Sequence, residues 1–240
     1  MAAPNPKIMD SKHRQGKLLR SGLSVGLLLI SLLILYIKLS RMGYIVPISY
    51  ILDVFCWSNC QDEATNRLHQ PLLGNKHLNY DLALKSILGS NIDKNQISLL
   101  IEKSNYRLTV YFGLTPVKSY PVVFGNNPVD DKLKEGDLRT PEGIFKIKVL
   151  YPHPTWSKFL WIDYPNKSSW RKHTKAKLEA KIGWQDTIGG EVGIHGVPKN
   201  SDNLIDDGLN WTWGCISLKN KDIDDLYEFV QKGTEVEIIR

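Results

Sequence analysis

The stretch from Leu23 to Ile37 carries no charged side chain, and only Ser24, Gly26, Ser31 and Tyr36 interrupt its aliphatic residues. Away from water such a run satisfies its backbone only as a helix, and it lacks the polar stripe of a helix packed on a soluble core. Its length is near the short end of the roughly 17–25 residues that span a bilayer, so the flanks decide. Lys7, Lys12, Arg14, Lys17 and Arg20 precede it against one acid, Asp10, whereas Lys38 and Arg41 are the near charges beyond it. That excess orients the N-terminus to the cytoplasm and everything after residue 40 to the other side. A cleaved signal peptide is the rival reading, but Lys38-Leu39-Ser40-Arg41 offers no small-x-small cleavage site. The sequence thus predicts a cytoplasmic basic tail over 1–20, a single transmembrane anchor over 21–39 and an exported remainder.

The formal charge of +6 on 240 residues falls largely in that tail. The exported part is then only mildly basic, which argues against nucleic acid as a partner. Export also bears on the three cysteines, Cys56, Cys60 and Cys215. The two in "FCWSNC" are close enough to pair, although this separation closes in a loop and poorly on a regular helix. Cys215 is left odd, either an inert buried thiol or a nucleophile.

From residue 40 to 94 the chain reads as a stalk. "QDEATNRLHQPLLGNKHLN" is polar and broken by Pro71 and Gly74, with one short helix expected over Tyr80–Leu88. After Asn95 short apolar runs alternate with turn residues: "QISLLIEK", "YRLTVYF", "VKSYPVVFG", "GIFKIKVL" and "LWIDY". Their β-branched and aromatic content predicts a mainly β domain over 95–240. One helix is specified near the end, where Ile223, Leu226, Tyr227 and Val230 share a face, Asn220 is the candidate cap and Lys232-Gly233 the stop.

A thiol becomes a useful nucleophile when a base removes its proton, and an imidazole is the usual base. Ile194-His195-Gly196 ends an expected strand, and Cys215 follows past a polar loop, in "NWTWGCISLKN". His195 and Cys215 form a Cys–His pair if that loop folds back; His153 and His173 are the competing histidines of the domain. Gly196 and Gly214 flank the pair and free the backbone to aim N–H groups at an oxyanion. One Cys and one His on turns make at best half a zinc site, so neither metal nor cofactor is expected.

"IHG", a spacer from Pro198 to Trp211 and "TWGCISL" together resemble the signature of the L,D-transpeptidase catalytic domain, the cysteine acyltransferases of bacterial peptidoglycan. "EGDLRTPEGIFKI", "IEKSNYRLTVYF" and "NKDIDDLYEFVQKGTEVEII" are similar to other parts of that family, so the resemblance covers about 95–240. It implies a β-rich sandwich or barrel with a few short helices, placed in the periplasm by the inner-membrane anchor. It also implies that Cys215 attacks the third residue of a tetrapeptide stem, that His195 is base and then acid, and that backbone N–H groups around Gly214 hold the oxyanion. Peptidoglycan stems are the implied partner, and a peptidoglycan-linked protein is a second. Many members carry His where this chain has Trp213, and Arg or Asn where it has Ser217, so these two positions bear on substrate choice. The "GCIS" variant looks closer to a Gram-negative branch, some of whose members cleave a peptidoglycan–protein link. Hydrolysis of such a link and non-catalytic peptidoglycan binding are the alternatives. The basic segment "KSSWRKHTKAKLEAKIGWQDTIGG" reads either as a mobile lid or as a solvated helix over a sheet edge. For "GDLRTPEG" the turn formers Asp137, Thr140, Pro141 and Gly143 suggest a hairpin.

Overall fold

The computed structural model describes residues 25–54, 67–74 and 76–240. The basic tail and the Cys56/Cys60 pair lie outside these residues. Residues up to Pro47 and those from Ile48 onward form two separate compact units. The first contains a helix over 25–41; among the described residues no helix is long and apolar enough to cross a membrane.

The second unit is built on one eight-stranded sheet: β1 (Ile97–Glu102), β2 (Arg107–Phe112), β3 (Thr115–Pro121), β4 (Gly143–His153), β5 (Ser157–Ile162), β6 (Gly193–His195), β7 (Ile216–Ser217) and β8 (Glu235–Ile239). Their spatial order is β3-β2-β1-β8-β4-β5-β6-β7. β1 is central, antiparallel to β2 and parallel to β8, which is why the "ISLLIE" run is buried on both faces apart from Ser98. β4 spans two partners. Gly143 to Lys146 pair with β8, and Ile147 to His153 pair with β5, with a register irregularity between Ile147 and Val149 that bends the strand. The chain beyond β3 also reaches the far edge, where Val123 bridges Ser217 and Gly125 bridges Thr212. Bend and bridge together curl the sheet into a half-barrel.

The fold is therefore mixed α/β, where sequence texture favours a mainly β sandwich or barrel. The difference lies largely in the basic segment, which forms the helix Lys167–Leu178, capped by the Asn166 side chain on Ser169 N–H. Trp170, His173 and Ala176 of this helix are buried, and Lys172 Nζ donates to the Glu142 carbonyl, so it is a packed element. The C-terminal helix runs over Asn220–Tyr227, shorter than its apolar pattern suggests. Ile223 and Leu226 are fully buried as expected, at about 1.5–3 kcal/mol each. Asn220 is its first residue rather than its cap, and the Asn220 Oδ1 is buried without a partner among the described residues.

Residues that composition reads as spacer lie along the polar outer face of β1, β2 and β8. Arg107, fully buried, pairs with Glu102 and donates to the carbonyls of Leu72, Gly74 and Lys76. Tyr111 Oη donates to Gln70 O, and Glu237 accepts the N–H groups of Leu68 and His69. The N–H groups of Leu68 and His69 and the carbonyls of Gln70, Leu72, Gly74 and Lys76 thus meet side chains where a sheet neighbour would otherwise have satisfied them. The expected helix appears as Leu84–Leu88, its Leu84 N–H held by Asp225.

Candidate functional site

The parallel pairing of β6 with β7 sets Ile194 against Ile216 and His195 against Ser217. Side chains two apart share a face of a strand, so His195, Ser217 and Cys215, just before β7, project to the same side. Cys215 is carried by a turn that its own sequence closes. Thr212 Oγ1 donates to the Cys215 carbonyl at 2.7 Å and accepts the Gly214 N–H at 3.2 Å. Gly214 has φ of 134°, and a Cβ there would stand 2.7 Å from the Arg139 carbonyl oxygen. Only glycine fits, which is the physical content of the Thr-x-Gly-Cys run.

His195 is buried among aromatic rings. Trp156 stacks on it with centroids 4.4 Å apart, Phe159 lies parallel at 5.6 Å, and Trp211 meets it edge-on at 5.6 Å. Its Nδ1 is 2.6 Å from the Gly196 carbonyl oxygen, which can only accept. Nδ1 therefore carries the hydrogen, and Nε2 keeps the lone pair. The Gly196 oxygen also accepts the Ser217 hydroxyl at 3.3 Å. The backbone at Gly196 is tightly enclosed, since an added Cβ would lie 2.1 Å from Asn220 Oδ1 and 2.6 Å from the Trp156 carbonyl.

Both reactive groups line one cleft of about 600 Å³, with Trp156, Glu191, Trp211, Thr212, Trp213 and Lys132 among its walls. The thiol donates to the Glu191 carbonyl at 3.6 Å, and the Gly193 backbone also bonds the sulfur. Burial lowers the His195 pKa to about 4, against an opposing contribution from its bond to Gly196. Burial likewise pushes the Cys215 thiol up to about 11. In that order of values the proton rests on sulfur, and the resting pair is neutral.

Several expected site residues take different places. The Gly196 N–H donates to the Trp156 carbonyl and the Gly214 N–H to Thr212, so neither glycine offers a free donor for an oxyanion. Among the described groups none takes the Cys215 N–H. Ser217 is fully buried rather than on the cleft wall, and its hydroxyl donates to the Gly196 carbonyl that His195 Nδ1 also bonds. Trp213 is 85% exposed at the cleft, whereas Trp211 packs against the cluster of Val123, Val197 and Ile205. Of the competing histidines, His173 bonds the Leu133 carbonyl away from the cleft, and His153 stacks on the far side of Trp156. Trp156, Lys132 and Glu191 were not singled out by sequence, for none stands in a recognisable spacing with Cys215. Thr212 was legible as the first residue of Thr-x-Gly-Cys.

A search of curated proteins finds no match. Solved structures with a similar fold include the helical cell shape determining protein Pgp2 from Campylobacter jejuni, at 26% identity and a TM-score of 0.44, over 59% of this chain and 46% of that one. Bd1075 from Bdellovibrio bacteriovorus matches at 22% identity and a TM-score of 0.41, over 60% and 48%. An L,D-transpeptidase from Mycobacterium smegmatis matches at 16% identity and a TM-score of 0.40, over 60% and 59%. The chain spans about half the length of the first two. Residues 96–238 match the L,D-transpeptidase catalytic domain, and the chain belongs to that family.

Proposed function

We propose that this protein is a membrane-anchored, periplasmic cysteine L,D-transpeptidase that acts on peptidoglycan tetrapeptide stems through a thioester on Cys215. The observation that carries this reading is the shared cleft: a half-buried thiol and an imidazole with its Nε2 lone pair kept free line the same space. Because the resting pair is neutral, sulfur attacks the carbonyl of the third stem residue as Nε2 takes the thiol proton. The new C–S bond forms as the carbonyl π pair moves onto oxygen, towards the Cys215 N–H. Collapse of that intermediate expels D-alanine, whose nitrogen receives the proton from Nε2. The same base then activates an incoming amine, giving a crosslink or an attached protein, or water, giving hydrolysis.

The Gly196 carbonyl takes the place of a third, charged triad member: it fixes the tautomer and the ring plane, with Ser217 as its second donor. An anchor is supported by the helix over 25–41, whose Leu27, Leu28, Leu32, Leu33 and Leu35 are all exposed, together with the basic residues before it. A carbapenem-type acylating probe followed by intact mass tests the nucleophile. One adduct on the wild type and none on Cys215→Ala is expected; an equal adduct on both would overturn the assignment. Digestion of isolated peptidoglycan then separates builder from cleaver. New 3–3 crosslinks support the transpeptidase, released protein or tripeptide supports the hydrolase, and neither product supports a binding module.

A further inference from the structure

The cleft holds a cation that the steps above do not use. Lys132 is the one Lys or Arg among the residues that line it, and its side chain is only 4% exposed. Its ammonium donates to Asp137 Oδ1 at 2.8 Å and to the Lys134 carbonyl at 3.1 Å. An ammonium has three N–H donors, and among the described groups none takes the third. The nitrogen stands 3.8 Å from where a Cβ on Gly214 would be, one residue from the thiol. Its charge is felt there: burial raises the Cys215 pKa, and a backbone bond from Gly193 and, after it, the Lys132 charge act against that rise.

The mount for this cation is the "GDLRTPEG" stretch. Asp137 collects the N–H groups of Leu133, Lys134 and Arg139 as well as the ammonium. Burial raises its carboxyl, but Lys132 and the backbone donors outweigh that and keep it below the usual range. Thr140 Oγ1 accepts the Gly125 N–H, and the Arg139 carbonyl packs on Gly214. Contrary to the expectation from its turn formers, the stretch closes no hairpin, because β3 and β4 on either side of it are not neighbours in the sheet; it fixes a cation beneath the Gly214–Cys215 turn.

A buried ammonium held by one carboxylate and one carbonyl keeps its third N–H for an anionic oxygen that enters the cleft. The leaving group of the proposed reaction, D-alanine, has a free carboxylate one carbon from the scissile nitrogen. We propose that Lys132 takes that terminal carboxylate and so makes the enzyme select amides whose leaving group is a free D-amino acid. This rests on the tetrapeptide reading of the function. Glu135 and Glu191, in the same cleft, have the wrong sign for this group, and Glu135 is engaged by the Thr187 hydroxyl.

The test uses the full-length chain in detergent with two synthetic stems, one ending in D-alanine and one in D-alaninamide. The wild type is expected to favour the acid by about 10-fold in kcat/KM, carried mainly by KM. Lys132→Met should lower the acid rate by about that factor more than it lowers the amide rate, while Lys132→Arg keeps most of the preference. Alkylation of Cys215 by neutral iodoacetamide, read by intact mass, checks that each variant keeps its thiol accessible. Equal rates on the two stems in the wild type overturn the carboxylate assignment and leave the proposed function standing. Failure to turn over either stem, with Cys215 alkylated normally, overturns the tetrapeptide reading itself. A loss in Lys132→Met that is the same for both stems overturns carboxylate recognition and moves Lys132 to a role at the turn.

Discussion

Two histidines on this sheet stand in nearly the same chemical company, and only one of them faces a cleft with a free nucleophile. His69 lies 2.8 Å through Nδ1 from Glu237 Oε2 and 2.7 Å through Nε2 from Ser98 Oγ, the spacings of a Ser-His-Glu triad. His195 has a plain carbonyl at Nδ1 and lines the cleft with Cys215. Ser98 sits on the central strand β1, whose backbone is paired on both sides, so no N–H is left there for an oxyanion. Cys215 sits on a turn just outside its ladder, where a side chain, Thr212, closes the backbone and leaves the thiol above a cleft. A nucleophile and an imidazole make a reactive pair only where the backbone leaves donors and space beside them. Where the ladder takes every donor, the same groups make a clasp, here holding the strap to the sheet.

The largest effect that would break this contrast concerns the two nucleophile candidates. Cys215→Ala is expected to abolish acylation by the carbapenem-type probe, a loss of more than about 10³-fold, while Ser98→Ala stays within about 2-fold of wild type. An adduct that survives in Cys215→Ala and disappears when Ser98→Ala is added would show that the clasp is itself a site. The histidines should then separate stability from activity. His195→Ala should slow acylation by about 10²–10⁴-fold, measured by stopped-flow or timed mass spectra. His69→Ala should leave the folded enzyme active but cost about 1–3 kcal/mol in denaturant unfolding, because Glu237 keeps the N–H groups of Leu68 and residue 69 but loses its ring contact, and Ser98 loses its own.

pH sharpens the same contrast. The His195 pKa is about 4 when folded against 6.5 in a free side chain, so on acidification the unfolded chain takes up this proton first. Its contribution to stability is complete above pH 6.5 and is lost as pH falls towards 4, by on the order of 3 kcal/mol. Cys215 has the opposite sign. Its thiol ionises first in the unfolded chain, so stability is complete below pH 9 and is lost as pH rises towards 11. Urea titrations across both windows, with His195→Gln removing the acid slope and Cys215→Ala the alkaline one, check each assignment. The probe's acylation rate should be flat between these windows. A bell centred near neutrality would mean that the pair rests as thiolate and imidazolium, against the burial that separates the two values.

How much of this was legible in the sequence follows from what each feature depends on. Strands β1, β2 and β8 were readable because alternation and β-branching are local, and Ile223 and Leu226 marked their helix for the same reason. That His195 and Cys215 come to one cleft was readable because they are carried by short runs, with Thr212, Gly214 and Gly196 each required by a backbone contact within or beside the motif. The strap was not. Leu68 to Lys76 contains Pro71 and Gly74 and little periodicity, and what holds it is Arg107, Tyr111 and Glu237, at least 31 residues away in the chain. Trp156 and Lys132 were missed for a related reason: their bearing on the site comes from the curl of the sheet, which brings β5 and the loop after β3 to the end of β7.

The smallest effects test Ser217 and Trp213, the two positions that the sequence resemblance marks for substrate choice. Ser217→Ala removes one of two donors on the Gly196 carbonyl inside the protein, and about 1 kcal/mol of stability should go with it. A slower acylation at unchanged KM would accompany that loss if Ser217 acts through the orientation of His195. Trp213→Ala should behave in the opposite way. Its ring is 85% exposed, so unfolding free energy should move by less than about 0.5 kcal/mol. Because the ring borders the cleft, KM for a stem peptide should rise a few-fold while kcat holds. If instead Trp213→Ala lowers stability and leaves KM alone, the indole belongs to the scaffold, and the rim of the cleft begins at Trp211.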